Sequence, residues 1–118
     1  ITTKSQETVE EDVFKVVENM PKFRGDKSHE MFRNYIAQNL KYPVIAFENG
    51  IQGKVFVSFI IEPDGSVSNV KVVKGVDPSI DKEAVRVVES SPKWEPGTQR
   101  GVNVRVQLTF PISFSLEK

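Results

Sequence analysis

Few side chains in this sequence could carry acid–base or metal chemistry, and they do not form a recognisable set. His29 is the single histidine and there is no cysteine, which excludes a histidine-rich metal site, a disulfide framework and thiolate chemistry. A catalytic site needs several converging groups, whereas His29 lies at the start of a predicted helix, where we expect it to face solvent. We therefore predict no enzymatic activity, no metal and no cofactor.

Two groups of acidic residues have structural explanations. Glu62 and Asp64 have the spacing of a pair of acid–base carboxylates, but Asp64 belongs to a turn, where aspartate is favoured. Asp77, Asp81 and Glu83 fit the first turns of a helix, where the helix dipole favours negative charge. Neither group predicts a catalytic or metal site.

Length and charge narrow the function further. A chain of 118 residues suits one domain. The 16 lysines and arginines balance the 16 aspartates and glutamates without a basic cluster, which disfavours nucleic acid as a partner. No stretch approaches the ~20 apolar residues of a membrane span. Because the chain begins at Ile1 rather than at a methionine, we interpret it as a mature form or an excised soluble fragment, from which a targeting or anchoring segment has been removed.

The end of the chain, residues 102–116, alternates apolar and polar residues without interruption. This period of two indicates a strand with one buried face and one exposed face. The stretch is longer than the ~3–10 residues of a typical strand. Pro111 has no N–H to donate and is tolerated on edge strands. We therefore predict a long edge strand, with which another chain can pair.

The elements that position this strand are two helices and a hairpin. One helix begins at Ser28 and ends before Pro43, and another begins at Asp77-Pro78. Between them, residues 51–61 form a central strand with Phe59 in the core, and residues 67–73 return after a turn.

Particular residues refine the hairpin and the turn that follows the second helix. Gly65 is predicted at positive φ in the hairpin turn. The phase of the apolar residues slips between Val67 and Val70, which indicates a β-bulge. Trp94 is interpreted as a core residue, with an exposed partner anchor as the alternative.

These elements predict an α+β fold with two helices on one face of a three-stranded antiparallel sheet. Numbered along the chain, the strands lie in the order 2-1-3, so the last strand is at the edge. Residues 28–118 form the predicted domain. Residues 1–27 are predicted as an N-terminal linker or tail, in which residues 9–20 fit a helix or a short strand and favour a strand.

Several short motifs occur in an order and spacing that resemble the C-terminal domain of TonB energy transducers. They are Tyr42-Pro43, Gly50-Ile51-Gln52-Gly53-Lys54-Val55, Pro63-Asp64-Gly65, Val70-Lys71-Val72 and Trp94-Glu95-Pro96-Gly97. Each is weak alone, but the ordered set extends from about Ser28 to Leu116. Residues 16–23 also resemble a segment that precedes this domain in Bacteroidota versions.

The resemblance implies a periplasmic domain, tethered to an inner-membrane helix, that couples an ExbB–ExbD motor to nutrient import by outer-membrane receptors. Members of this family bind the receptor plug and add the receptor's TonB box as a strand beside their last strand. The matching residues here are Val102, Asn103, Val104, Arg105, Val106, Gln107, Leu108 and Thr109. A second contact matches Gln38, Lys41, Tyr42 and Pro43.

Two alternatives remain open at this point. A periplasmic sensor or scaffold module with the same fold would use these surfaces without transmitting force. An exposed strand edge also makes a homodimer by strand exchange possible. The sequence upstream would separate a transducer from a sensor, since a lone membrane helix with a proline-rich spacer favours the transducer.

Overall fold

The structure is a computed structural model that describes residues 12–116. Within that range the elements follow the order β1 (Val13–Phe14), α1 (Ser28–Asn39), α2 (Val44–Glu48), β2 (Gly53–Ile61), β3 (Val67–Lys74), α3 (Pro78–Glu89), β4 (Gly97–Gln99) and β5 (Val102–Phe114). Residues 1–11, the first part of the predicted linker, lie outside the described residues.

Strands β3, β2 and β5 form the antiparallel centre of the sheet, in that spatial order. Two further strands join β5: β1 pairs with it in parallel, and β4 forms a hairpin with it. The α+β class is confirmed. The predicted purely antiparallel sheet of three strands with two helices is wrong, because the described residues form a mixed sheet of five strands with three helices.

Three elements of the structure are short: β1 has two residues, β4 has three, and α2 has five. β1 confirms that residues 9–20 contain a short strand, whereas the sequence did not predict β4. An alternating period cannot be recognised over the three residues of β4. These elements form because neighbouring parts of the chain hold them in place.

An aromatic cluster lies between α1 and the sheet. The Phe32 ring of α1 lies 5.7 Å from the Phe59 ring of β2 and 5.0 Å from the Phe110 ring of β5. The Trp94 ring centroid is 4.9 Å from that of Phe32. Phe59 is 1% exposed and Trp94 is 7% exposed, so both predicted core positions are confirmed. α3 contributes Ile80 and the buried residues of its later turns to the same core.

The turn between β2 and β3 requires glycine at position 65. Gly65 has φ +89°, and a Cβ atom there would lie 2.1 Å from the carbonyl oxygen of Trp94. The Trp94 amide also donates a 2.8 Å hydrogen bond to the Gly65 carbonyl oxygen. The predicted glycine turn is confirmed. The predicted bulge is confirmed too, since the β2–β3 register shifts after Ser58 and Asn69 has φ +49°.

Part of the segment predicted as a linker is packed into the domain. Phe23 is fully buried, and its ring centroid is 5.1 Å from those of Phe32 and Trp94. Asn19 exchanges two backbone hydrogen bonds with Thr98, of 2.9 and 3.1 Å. Residue 28, the predicted domain boundary, therefore falls inside the packed unit. The sequence did not reveal this packing, because a single buried phenylalanine between turns is not part of a periodic pattern.

Candidate strand-docking site

The final strand, β5, is buried on one face and paired along one edge. Even-numbered side chains from Val106 to Phe114 lie in the core or pack against it, Val106, Ile112 and Phe114 among them, whereas Val102 at the start of the strand is exposed. Along its inner edge β5 pairs with β2 residue by residue, from Val106 to Phe114. The long alternating strand is therefore confirmed. Whether β5 can accept another strand depends on what pairs with its outer edge, the edge that faces away from β2.

Pro111 indicates which backbone groups of β5 point outward. It lies opposite Phe56 of β2, and it has no N–H to donate. In an antiparallel ladder, alternate residues direct their backbone groups toward the partner strand and away from it. Pro111 fits the outward series, which also contains Gln107 and Thr109. These two residues therefore direct their N–H groups away from β2.

Elements of the chain itself pair with the first part of the predicted docking strand. Residues 102–104 form the hairpin with β4. On the outer side, β1 places Val13 opposite Arg105 and Phe14 opposite Val106. We call residues 102–106 the covered edge. The predicted edge position of the last strand is wrong here, because a segment distant in sequence pairs with it.

The rest of the outer side has no neighbouring strand among the residues that the structure describes. Residues 107–113, which we call the free edge, pair only with β2. By the alternation above, Gln107, Thr109 and Ser113 direct N–H groups outward, whereas Pro111 can only accept a hydrogen bond. Such an unpaired row of donors and acceptors is a template for an added strand.

Two of the predicted binding residues on the covered edge make internal contacts. Arg105 donates hydrogen bonds to the Glu62 carboxylate, 2.8 Å from Nε and 3.0 Å from Nη2. These hydrogen bonds, which outweigh the opposing effect of burial, hold the pKa of Glu62 below its ordinary value. Asn103 donates from Nδ2 to the Pro63 carbonyl oxygen over 3.0 Å. Both side chains therefore fasten β5 to the turn after β2.

The second predicted contact region lies at the opposite end of β5. The Tyr42 ring centroid is 5.7 Å from that of Phe114, and the Tyr42 hydroxyl donates to the Ile51 carbonyl oxygen. Because Phe114 follows the free edge directly, Tyr42-Pro43 lies near the free edge and away from the covered edge. The structure thus brings together two regions that are distant in sequence.

A carboxylate on α3 holds the backbone just before Tyr42. Glu83 accepts a 2.7 Å hydrogen bond from the Lys41 amide and 2.8 Å hydrogen bonds from Arg86. Burial raises the pKa of Glu83, but the hydrogen bonds from Arg86 and Lys41 outweigh it and leave the pKa below its ordinary value. This network fixes the predicted contact segment, while Gln38 is exposed on α1.

The structure divides the predicted docking residues into two groups. Gln107, Leu108 and Thr109 lie on the free edge, and the other five residues of that strand lie on the covered edge. The sequence prediction stops at Thr109, although the alternation that supports it continues through β5. It also misses Arg33 and Lys54, which line a cavity of about 390 Å³ beside the free edge. That cavity forms only when α1 packs near β5, so no local sequence signal marks it.

The acid–base candidates occupy structural positions. Asp77 caps α3, accepting a 3.1 Å hydrogen bond from the Ser79 amide, and Asp64 accepts one of 2.9 Å from the Ser66 amide in the hairpin turn. His29 is exposed, and its ring packs 4.9 Å from that of Phe110. Within residues 12–116, no group of three or more histidine, cysteine, aspartate or glutamate side chains could hold a metal ion.

The class that this fold and site define is an α+β domain whose last strand is unpaired along part of its outer side. Comparisons with known proteins give the family. The model of the Gram-negative bacterial TonB protein C-terminal family matches residues 38–116. Protein TonB of Helicobacter pylori (strain ATCC 700392 / 26695) is 34% identical over 84 residues, 70% of this chain. Protein TonB of Haemophilus influenzae is 38% identical over 86 residues, 72% of this chain. This chain belongs to the TonB C-terminal family.

A solved structure supports the same conclusion. The NMR solution structure of the Helicobacter pylori TonB-CTD superposes with a TM-score of 0.62 at 30% identity, covering 80% of this chain and 99% of that one. The resemblance found in the sequence is therefore confirmed, and the chain is a TonB-type periplasmic domain. It spans 28% of the length of the H. pylori protein and 31% of the H. influenzae protein. None of the helices in residues 12–116 is long and apolar enough to cross a membrane.

Proposed function

We propose that this chain is the receptor-binding domain of a TonB energy transducer, and that it adds the TonB box of an outer-membrane receptor as a strand to the free edge of β5. The observation that carries this proposal is the outer side of residues 107–113, where unpaired backbone groups adjoin the Tyr42-Pro43 segment. In the whole protein, parts outside this chain engage the ExbB–ExbD motor, and this domain passes its force to the receptor.

The proposed docking stretch is displaced from the one that the resemblance implies. An added strand at residues 102–106 would have to replace β1 and meet the β4 hairpin, whereas residues 107–113 need no rearrangement. Tyr42 and Pro43 lie at the end of this stretch and supply a second contact for the receptor plug, with Lys41 and Gln38 exposed beside them.

The affinity for an isolated peptide should be low. Each added backbone hydrogen bond contributes ~0.5–1.5 kcal/mol net of water, and Pro111 removes one donor from the row. Ordering each residue of the peptide costs ~1–2 kcal/mol. We expect a dissociation constant on the order of micromolar or weaker. In the cell, the second contact and the tether raise the effective concentration of the partner.

A titration of this chain with a TonB-box peptide, followed by amide chemical shifts, tests the proposal. We expect the largest changes at residues 107–113 and around Tyr42. The control is the same peptide with proline at alternate positions, which cannot donate along the ladder. Changes confined to α1, with none on β5, would show that the receptor segment docks elsewhere.

A second copy of this chain is the competing occupant of the free edge. Sedimentation over a range of concentrations distinguishes the two cases. A monomer that binds the peptide supports the proposal, whereas a dimer that excludes the peptide contradicts it.

A further inference from the structure

One face of the sheet points away from α1 and α3. Val55, Val57 and Phe59 of β2 belong to the core that those helices share, so the residues next to them point to the opposite side, because side chains alternate along a strand. Cross-strand partners share a face, which adds residues of β3 and β5. We call this surface the outer face, and its members are Lys54, Phe56, Ser58, Lys71, Lys74, Thr109 and Pro111.

Every charged side chain in the three central strands is basic. β2, β3 and β5 contain three lysines and Arg105, but no aspartate or glutamate. Arg105 is paired with Glu62, the residue after β2. Lys54, Lys71 and Lys74 are exposed, and none of them forms a salt bridge with any residue between 12 and 116. The outer face therefore presents three uncompensated positive charges.

The three lysines are distant in sequence but close in the fold. Lys71 lies opposite Ser58 and Lys74 lies opposite Phe56, whereas Lys54 precedes Phe56 by two residues on β2. Since alternate residues of a strand are ~7 Å apart and adjacent strands ~5 Å apart, each lysine starts within ~10 Å of the next. That separation is comparable to the Debye length of ~8 Å at physiological salt. A charged surface therefore meets the lysines as one cluster.

The chemistry of this cluster favours a layer of lipid headgroups as its partner. Lysine carries a compact charge on a flexible stem and lacks the planar fork with which arginine binds a fixed carboxylate. Val73, which is 61% exposed, lies between Lys71 and Lys74 in the chain, and Phe56 is half-buried on the same face. Apolar side chains among lysines suit a membrane interface, where they enter the headgroup layer while the lysine stems extend to the phosphates.

We propose that the outer face adsorbs reversibly to membranes that contain anionic phospholipids, with Lys54, Lys71 and Lys74 against the phosphate groups. The chain has 16 basic and 16 acidic residues, so this attraction comes from where the charges lie and not from net charge. The surface is also separate from receptor docking, because it uses side chains on a face of the sheet and not the backbone edge of β5. A domain in the periplasm has a membrane on either side.

Sedimentation of the chain with phosphatidylcholine vesicles, prepared with and without phosphatidylglycerol, tests the proposal. Each lysine near an anionic bilayer strengthens binding about fivefold. Three lysines should therefore favour the vesicles with phosphatidylglycerol on the order of 100-fold at low salt, and the preference should shrink at high salt.

Matched charge variants show where the preference arises. Lys71→Gln with Lys74→Gln should weaken binding to the anionic vesicles about 25-fold. The control, Lys27→Gln with Lys82→Gln, removes the same charge from exposed residues at the start of α1 and on α3 and should bind like the unsubstituted chain. Both double variants should bind a TonB-box peptide normally, which shows that the fold and the free edge are intact.

Three results would overturn the proposal. The first is equal binding to the neutral and the anionic vesicles, or binding to neither. The second is an equal loss in the two double variants, which would mean that only net charge matters. The third is binding of poly-glutamate without binding of vesicles, which would assign the outer face to an acidic protein. Strand addition at the free edge is measured separately by the peptide titration and stands or fails independently.

Discussion

The covered edge and the free edge belong to one strand with one alternating pattern, but they have different surroundings. Residues 102–106 pair with β4 and β1, and Arg105 and Asn103 are fastened to the turn after β2. Residues 107–113 pair with β2 on one side only. Two cavities lie beside them, and Tyr42 lies near their end. Alternation shows which face of a strand is buried, whereas distant parts of the chain determine which edge is open.

The largest expected effect concerns the core beneath the free edge. Phe59 lies opposite Leu108 and is buried in the aromatic cluster. Phe59→Ala should lower the free energy of unfolding by ~3–5 kcal/mol, because it leaves a cavity. Val73→Ala, at a site that is 61% exposed, is the control and should change stability by less than ~0.5 kcal/mol. A loss under ~1 kcal/mol for Phe59→Ala in a denaturant titration would mean that this core does not support the free edge.

Proline substitutions test which backbone groups point outward. Gln107→Pro removes an outward N–H and should weaken binding of a TonB-box peptide at least ~tenfold while the domain stays folded. Gln107→Ala keeps the N–H and is the matched control. Leu108→Pro removes an inward N–H and should instead destabilise the sheet by ~3 kcal/mol or more. If Gln107→Pro bound the peptide normally, the added strand would not pair with this side of β5.

Removal of β1 should extend the free edge. A chain that begins at Val17 retains the buried residues 17 and 23 but lacks β1. Because the backbone of Arg105 then becomes available, we expect peptide affinity to rise about two- to tenfold, as one further hydrogen bond allows. Val16→Ser, at a position 81% exposed, should leave affinity unchanged. An unchanged or lower affinity after truncation would mean that β1 does not compete with the partner.

A smaller, pH-dependent effect is expected at the covered edge. Arg105 lowers the pKa of Glu62 in the folded state, so this ion pair stabilises the fold above the ordinary carboxyl pKa and is lost as pH falls through the folded pKa. Glu62→Gln should therefore reduce the change in the free energy of unfolding over this pH range by up to ~1 kcal/mol. Unfolding curves between about pH 6 and pH 3 measure it, with Glu48→Gln on α2 as the control. Superimposable pH profiles for Glu62→Gln and the unsubstituted chain would contradict it.

Residues with strong local patterns could be interpreted from sequence, and residues placed by tertiary packing could not. The alternation of β5, the turn at Gly65 and the burial of Phe59 follow from period, backbone conformation and hydrophobicity. A short strand was favoured within residues 9–20, but the pairing of β1 with β5 was not predicted, because these two residues form a strand only where β5 is already present. Glycine is not typical of strands, so Gly97 did not predict β4. The structure explains its presence, because a Cβ atom there would lie 2.8 Å from the Val106 side chain.

The candidate site follows the same division. The motif resemblance pointed to Tyr42 and to the last strand, and it included Gln107 and Thr109. It could not show that the first residues of that strand are covered. It also gave no indication that Arg33 lies in one cavity with Lys54, a residue of one of the motifs, because the two become neighbours only when α1 packs beside β5.

Amide hydrogen exchange in β5, measured with and without a TonB-box peptide, tests the difference between the two edges most directly. In the chain alone, the amides of Leu108, Phe110 and Ile112 should be protected by β2, whereas those of Gln107, Thr109 and Ser113 should exchange rapidly. Addition of the peptide should slow exchange at these outward amides. Outward amides already protected without peptide, or unchanged when it is bound, would contradict docking at the free edge.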